Sequence, residues 1–326
     1  MGEDVRDGSL DKGNLTAILD RLSGLPPTAV IQVDREIRYK AHFFEYEQVT
    51  FLGHLNAILG RTPGRLLERN GDLAYIFACH GNGYLREAAL NRVGGPIPSA
   101  FLFALLACQL NNWVPQVREA AGKCLRRVMP VTDAGIVAEA AMYLLQYRDF
   151  WQRGVTEVGI LDTVLTEPAL REALMHRVMT SRAGAPNRTL VAVLRHIEVD
   201  TYLPALMTKA AHPEVRAIAA KALVSGIARW PKGRDRAWID KSMGSYRIVT
   251  VFDARPVERT GDVEVFIAQA ARDPSVQVRK VAMQALIDAS GMWERRSELI
   301  ERMAGDRSSA IRAGIGYILR HRCGQP

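Results

Sequence analysis

A short template recurs along this chain at a nearly constant interval. In its clearest copies an apolar residue precedes an arginine, and alanine, a small residue and leucine follow three, six and seven positions after that arginine. Arg86 and Arg118 are 32 positions apart, and Arg279 and Arg312 are 33 apart. A constant period of this length is typical of repeat proteins, so the template constrains the fold more than any other feature. The arginines of the five copies are Arg86, Arg118, Arg216, Arg279 and Arg312.

The spacing within the template predicts a helix. The apolar and small positions share one helix face, because about 3.6 residues make a turn. Small side chains on that face let a neighbouring helix approach closely. Proline, aspartate or serine precedes several copies, and these residues suit the cap or the first turn of a helix. We therefore expect each unit to contain a first helix with the template, a turn and a second helix, and the units to stack.

The two most complete copies, within 212–223 and 273–286, resemble the short bacterial type of HEAT-like repeat. The resemblance implies an all-α fold, a right-handed α-α superhelix (solenoid) of HEAT-like helix pairs. In such families the template arginine braces the next unit, and Asp273 and Asp306 are the expected acceptors. Three further arginines lie near the repeat register with poor flanking residues, and we interpret them as degenerate units. They are Arg153, Arg188 and Arg247.

The template is absent from residues 1–70, which we expect to form an atypical amino-terminal helical cap. Residues 71–326 form the predicted repeat array, with an irregular insertion around 231–262. Glycine, proline and β-branched residues in that insertion are poor helix formers. We expect an irregular second helix and a long connecting loop there. The apolar run from Ile97 to Leu110 is too short to span a bilayer and is expected to form a buried helix.

Composition favours an ordered protein with a modest preference for an acidic or polyanionic partner. Hydrophobic residues make up 48% of the 326 residues, and the formal net charge is +8. The cysteines form no CxxC pair and no disulfide framework, which indicates a reducing compartment. No secretory signal is visible, so we expect a soluble, cytoplasmic protein.

No constellation of residues typical of an enzyme is recognisable. The histidines form no cluster with metal-ligand spacing, so no metal and no small-molecule cofactor are expected. Gly81-Asn82-Gly83 precedes a template helix, where it fits either a phosphate cradle or, more simply, a tight turn between helices. His212 occupies a helix-start position, where capping is its natural role. There is no GxSxG sequence and no cysteine in a basic, accessible context, apart from Cys323 near the end of the chain.

The stretch from Arg229 to Lys241 is the best candidate for binding. Arginine beside aromatic residues holds phosphates and stacks bases, and the same residue types form protein-binding hot spots. A surface loop whose tryptophans pack on the helices is the third interpretation. The candidate residues are Arg229, Trp230, Lys232, Arg234, Arg236, Trp238 and Lys241.

DNA glycosylases that remove alkylated bases are also built from HEAT-like repeats, and they use a Trp-rich concave face with a catalytic aspartate. The segments around Trp113 and Trp151 are similar to the Trp-bearing helices of that family. The carboxylate expected one turn later is missing, since Val117 and Val155 stand there and Asp149 precedes Trp151. Similar repeats occur in bilin lyases, but no residue here carries that chemistry.

The expected function is therefore a non-catalytic scaffold that binds a protein partner with an acidic segment through its concave face. The alternative is a nucleic-acid-binding solenoid related to those glycosylases. No membrane association is expected. Charge placement separates the two hypotheses, because convergence of basic residues on one concave stripe favours nucleic acid. The residues concerned are Arg126, Arg127, Arg229, Arg234, Arg236 and Lys241.

Overall fold

A computed structural model of the protein describes residues 11–41, 43, 63–151, 153 and 157–322. Within these ranges the chain is mostly helical, and one two-stranded antiparallel sheet interrupts the helices. The all-α expectation is therefore correct in outline and wrong for the sheet. The chain divides into two compact units, Met1–Leu174 and Met175–Pro326.

The first unit is organised around an apolar helix, α6. Its residues from Ala100 to Ala107 are all buried, as the uninterrupted apolar run predicts, and α1, α2, α7 and α8 pack against it. Ser99 caps its amino end by accepting from the amide of Leu102. The helices are α1 (Lys12–Ser23), α2 (Val30–Lys40), α3 (Pro63–Arg69), α4 (Leu73–Phe77), α5 (Gly83–Arg92), α6 (Ala100–Cys108), α7 (Pro115–Val128), α8 (Ala134–Tyr147) and α9 (Thr163–Thr166), and the boundary between the units falls within α10 (Pro168–Thr180).

The second unit contains the remaining helices and the sheet. Helix α15 is central to its helical part, because it packs against α13, α14 and α17. The elements are α11 (Pro186–Val193), α12 (Leu203–Lys209), α13 (Pro213–Ser225), β1 (Ile227–Asp240), β2 (Ser245–Pro256), α14 (Val263–Ala271), α15 (Val276–Asp288), α16 (Ser297–Ala304) and α17 (Ser309–Arg322).

The template residues face the helix contacts in both units. Val117, Ala121 and Leu125 are fully buried on α7, and Val278, Ala282 and Leu286 are fully buried on α15. Each template helix is the second member of a pair, as in α12–α13, α14–α15 and α16–α17. The expected order, with the template on the first helix, is therefore wrong. A short turn joins the two helices of each pair and comes directly before the template. The prolines and capping residues that precede the template lie in this turn.

The template arginine folds back onto the turn before its own helix. Its Nη1 donates to main-chain carbonyls six and five positions earlier in Arg86, Arg118, Arg216 and Arg279, and to the carbonyl six positions earlier in Arg312. In Arg216 and Arg279 the Nε and Nη2 atoms then point to the loop before the next template helix. Arg216 forms two hydrogen bonds with Asp273, and Arg279 forms two with Asp306.

A sixth arginine, Arg171, makes the same local contacts with the carbonyls of Leu165 and Thr166. This arginine was not predicted from the sequence, because leucine replaces alanine three positions later and the interval is irregular. Arg188 lies near the start of α11, and Arg153 lies outside the described helices. Arg247 lies on β2, so the degenerate helical unit expected there is wrong.

The insertion is a long β-hairpin formed by β1 and β2. The expected irregular helix and long loop are therefore wrong, and the hairpin begins and ends before the predicted limits of 231 and 262. Isoleucine and valine in 248–251 favour an extended chain, because β-branched side chains pack well on a pleated surface. A two-stranded hairpin is marginally stable by itself, so its contacts with the helices matter.

Candidate binding site on the hairpin

The base of the hairpin is fixed to the helices of the second unit. Arg255 donates to both carboxylate oxygens of Asp200, at 2.7 and 2.6 Å, and to the carbonyls of Leu194 and His196. Asp200 is 2% exposed and also accepts from the amide of Glu258. Every charged atom of this pair therefore has a close partner, which holds both strands at their point of departure.

The helix before the hairpin ends sharply at Gly226. This residue has φ of 71°, a left-handed conformation that favours glycine. A Cβ here would lie 3.0 Å from the Nη2 atom of Arg259. The carbonyl of Gly226 accepts from the amide of Val257, on the far side of the hairpin. The two ends of the hairpin are thus joined directly.

Beyond this base the hairpin is solvent-exposed on both faces. From Lys232 to Ile248 all side chains except that of Ala237 are exposed. At about 3.3 Å per residue, the twelve residues from Arg229 to Asp240 extend roughly 40 Å. The hairpin therefore presents an arm of about that length for contact with another molecule.

The strand register separates the side chains of the arm into two faces. Directly opposed residues point to the same face, and successive residues alternate. A bulge at Lys232 changes the alternation in β1, since Pro231 pairs with Phe252 and Gly233 with Val251. Arg229 and Arg234 are an odd number of residues apart, and the bulge brings both to one face.

We call one side the basic face. It has three arginines and no carboxylate. Arg236 lies over the ring of Tyr246, with its Cζ 4.6 Å from the ring centroid, and Trp238 packs edge-on against the same ring. Within the described residues, the guanidinium groups of Arg229 and Arg234 have no hydrogen-bond or ion-pair partner. The basic face consists of Arg229, Pro231, Arg234, Arg236 and Trp238 on β1 and Tyr246, Ile248, Thr250, Phe252 and Ala254 on β2.

The opposite side, the mixed face, has balanced charges. Lys232 approaches Asp253, with 3.2 Å between Nζ and Oδ2. Asp235 lies on the same face as Arg247. Acidic residues are thus confined to one side of the arm between its base and its turn. The mixed face consists of Trp230, Lys232, Gly233, Asp235 and Ala237 on β1 and Arg247, Val249, Val251 and Asp253 on β2.

The turn at the end of the arm is held by Asp240. Its Oδ1 accepts from the amide and hydroxyl of Ser242, at 2.8 and 2.6 Å, and from the amide of Met243 at 3.2 Å. These bonds, chiefly that from the Ser242 hydroxyl, lower the pKa of Asp240. Gly244 has φ of 64°, which lets the chain reverse there.

The structure divides the seven candidate binding residues. Arg229, Arg234, Arg236 and Trp238 share the basic face, and Lys241 lies in the turn. Trp230 and Lys232 belong to the mixed face. The sequence analysis missed the contribution of β2, although Tyr246, Ile248, Thr250 and Phe252 occupy every second position. That alternation was the available signal for a strand.

Other basic and aromatic residues singled out from the sequence have different roles. Arg127 donates to the carbonyls of Leu90 and Val93, and thereby satisfies the carboxyl end of α5. Trp113 precedes α7, and Trp151 follows a short 3-10 turn. Neither tryptophan lies on a helix, contrary to the likeness with the Trp-bearing helices of the glycosylases.

The turn before α5 is built from side-chain caps. Asn82 accepts from the amide of Tyr84, and the His80 Nδ1 atom accepts from the amide of Asn82. The tight-turn interpretation of Gly81-Asn82-Gly83 thus has a structural basis. His212 stands at the cap position of α13, but its side chain makes no capping hydrogen bond, so the expected capping role is wrong.

Cysteine thiols of the described residues are buried. Burial raises the pKa of the Cys108 thiol to about 12 and that of Cys124 to about 11, which leaves both thiols protonated and unreactive. Cys323 lies outside the described residues. Among the residues described, no group of three His, Cys, Asp or Glu side chains could hold a metal ion.

None of the described helices combines the length and the hydrophobicity needed to cross a membrane. Comparison of the chain with protein-family models, with curated proteins and with solved structures gives no match.

Proposed function

We propose that this protein is a non-catalytic nucleic-acid-binding protein and that the hairpin of its second unit is the binding element. The observation that carries the proposal is the separation of charge between the two faces of the arm. The three arginines of the basic face share it with no carboxylate, whereas Asp235 and Asp253 lie on the mixed face. Phosphate groups bind to such clusters of arginine because each contact releases condensed counterions.

The free guanidinium groups support the same conclusion. An arginine that serves the fold donates to main-chain carbonyls or to a carboxylate, as Arg127 does to Val93 and Arg255 does to Asp200. Arg229 and Arg234 are exposed and retain all their donors for a ligand. Because hydrogen bonds anchor the base of the hairpin to the helices, the backbone there is already ordered before a ligand binds, which removes one entropic cost of binding.

The aromatic side chains add a second kind of contact. Trp238 and Tyr246 lie on the basic face beside Arg236. Nucleobases stack on aromatic rings, and each stacked base contributes about 1–3 kcal/mol.

A two-stranded ribbon also fits the major groove of B-form DNA, which is about 12 Å wide.

A protein partner is the second candidate, and one observation favours it. Ile248 and Phe252 on the basic face are 56% and 57% exposed, and exposed apolar side chains beside arginine and tryptophan are typical of binding hot spots. Addition of a partner strand at the β1 edge is disfavoured, because Pro231 lacks an amide proton and bulges interrupt the strand.

The helical framework belongs to the same proposal. The packing of template helices within each unit and the repeated arginine contacts support HEAT-like repeats. The right-handed superhelix and a concave binding face remain predictions.

Two charge-matched variants test the proposal. R229S/R234S removes two cations from the basic face, and K232S/R247S removes two from the mixed face. Binding of the full chain to labelled single-stranded and duplex DNA is measured by fluorescence anisotropy over a salt series.

We expect R229S/R234S to weaken binding about tenfold and to reduce the slope of log K against log salt by about 2. K232S/R247S should change affinity less than about threefold, because its cations are balanced by carboxylates. Equal losses in both variants, or no binding of either DNA by the wild type, would overturn the proposal. If the wild type binds neither DNA but binds an acidic protein, the second candidate, a protein partner, is supported.

A further inference from the structure

The tip of the hairpin carries two large apolar side chains that are mostly exposed to solvent. Ile239 is 69% exposed and Met243 is 79% exposed. Turns of this kind usually hold glycine, asparagine, aspartate or serine. The two side chains contribute nothing to the helical core, since they lie at the opposite end of the arm from the Arg255–Asp200 anchor.

The backbone fixes the direction in which these side chains project. Ile239 is the extra residue of a bulge between the pairs Trp238–Tyr246 and Asp240–Ser245. Met243 is held by the hydrogen bond from its amide to Asp240. The apolar pair is therefore presented by an ordered turn, so the backbone that carries it need not be ordered on binding.

The size of the arm matches the dimensions of duplex DNA. Its length of roughly 40 Å from Arg229 to Asp240 is close to one helical turn of about 34 Å. The arginines of the basic face, from Arg229 to Arg236, cover about 23 Å of that length and would contact phosphates there, and the apolar tip would lie beyond them. Apolar side chains at such positions insert between base pairs in many architectural proteins and unstack them.

From these observations we infer that the ligand is duplex DNA and that Ile239 and Met243 form a wedge that opens the base stack at the end of the bound arm. The inference rests on the proposed nucleic-acid-binding function and goes beyond it. The basic face supplies affinity, and the tip supplies distortion. Pyrimidine–purine steps should be favoured, because they unstack more easily than the steps of an A-tract.

The test uses the full chain and a panel of duplexes that carry 2-aminopurine at successive positions around a central TA step. The fluorescence of 2-aminopurine rises when its neighbours unstack. Anisotropy on the same duplexes reports binding separately. I239S/M243S removes the wedge, and V265S, which alters a residue 51% exposed on α14, is the control for loss of exposed apolar surface.

We expect saturating wild-type protein to raise the fluorescence about twofold or more at one or two positions, and less in an A-tract duplex. I239S/M243S should bind within about tenfold of the wild type and give no rise, because the phosphate contacts remain. V265S should behave as the wild type.

Binding without any rise in fluorescence would overturn the wedge and leave the proposed function intact. A full rise with I239S/M243S would overturn it as well. Failure of the wild type to bind these duplexes would overturn the wedge, and the proposed function would fall with it only if single-stranded DNA is not bound either.

Discussion

Arg86 in the first unit and Arg279 in the second occupy the same template position and have different partners. Both donate to the carbonyls six and five residues earlier. Arg279 then forms two hydrogen bonds with Asp306, at 2.7 and 3.0 Å. Arg86 reaches the neutral amide of Asn112 at 3.4 Å, and its Nε has no hydrogen-bond partner in the described structure.

The electrostatic consequences are opposite. Hydrogen bonding to Asp306 raises the pKa of Arg279, whereas burial lowers the pKa of Arg86. Arg86 is 1% exposed and forms no ion pair in the described structure, although the charge of Asp34 lies close enough to offset part of the effect of burial. Both arginines take the same position against the turn before their own helix, and we expect the residue that faces the guanidinium from the next repeat to set how much each one stabilises the fold.

The largest effect is expected when the paired carboxylate is removed. Asp306→Ala leaves the guanidinium of Arg279 largely buried and unpaired, and should lower the free energy of unfolding by about 3 kcal/mol. Urea denaturation and hydrogen exchange of α15 and α17 measure the loss. Asp288→Ala, which removes an exposed acceptor of Gln284, should change stability by less than about 0.5 kcal/mol. Similar values for both variants would show that the Arg279 pair is not a stabilising contact.

Acid should distinguish the two units. Burial, with a smaller contribution from Arg86, lowers the pKa of His80 to about 4, so the folded first unit holds this ring neutral. An unfolded histidine titrates near pH 6.5, and the first unit therefore loses stability as pH falls from about 6.5 to 4. We expect a loss of about 2 kcal/mol, less than the pKa difference alone implies, because the ring is partly exposed.

The second unit should respond at lower pH. Hydrogen bonds from Arg279 lower the pKa of Asp306, so its contribution is fully present above about pH 4 and is lost only as pH falls further. Hydrogen exchange resolved by unit at pH 7, 5.5 and 4 checks the order. Replacement His80→Gln should flatten the response of the first unit between pH 7 and 4. Simultaneous loss of protection in both units at pH 5.5 would contradict the assignment.

A carboxylate placed beside Arg86 should reduce the difference between Arg86 and Arg279. Asn112→Asp supplies an acceptor for the guanidinium, and loses the hydrogen bond that the Asn112 amide donates to Gln109 at 2.8 Å. We expect a net gain of about 1 kcal/mol, because charge-assisted hydrogen bonds are about twice as strong as neutral ones. Urea denaturation of the variant measures it. A loss of stability would mean that the Asn112–Gln109 bond outweighs the added ion pair.

These contrasts also show which features are readable from sequence. The helices that carry the template and the buried α6 follow from periodicity and from apolar runs. The bonds from Arg216 to Asp273 and from Arg279 to Asp306 join partners that the repeat already suggests. Arg171 was missed because its flanking residues depart from the template, although its local contacts are the same.

The hairpin was missed for a different reason. Proline and glycine in β1 weakened the strand signal, and the bulge at Lys232 breaks the alternation on which strand recognition depends. Strict alternation would have placed Arg229 and Arg234 on opposite faces of the hairpin. The basic face is therefore a product of strand register, and neither composition nor local spacing contains that information.

The smallest effect on stability is expected for an arginine that has no partner. Arg234→Ala should change the free energy of unfolding by less than about 0.5 kcal/mol, because the side chain is exposed and makes no ion pair within the described residues. Arg255→Ala, at the base of the same hairpin, should cost about 3 kcal/mol, since it leaves the buried carboxylate of Asp200 unpaired. Urea denaturation of both variants gives the two free energies, and anisotropy with DNA gives the affinity of Arg234→Ala.

A loss of affinity without a loss of stability identifies Arg234 as a residue that contacts a ligand. A loss of stability comparable with that of Arg255→Ala would instead place Arg234 among the arginines that maintain the fold, and the basic face would lose its main support as a binding surface.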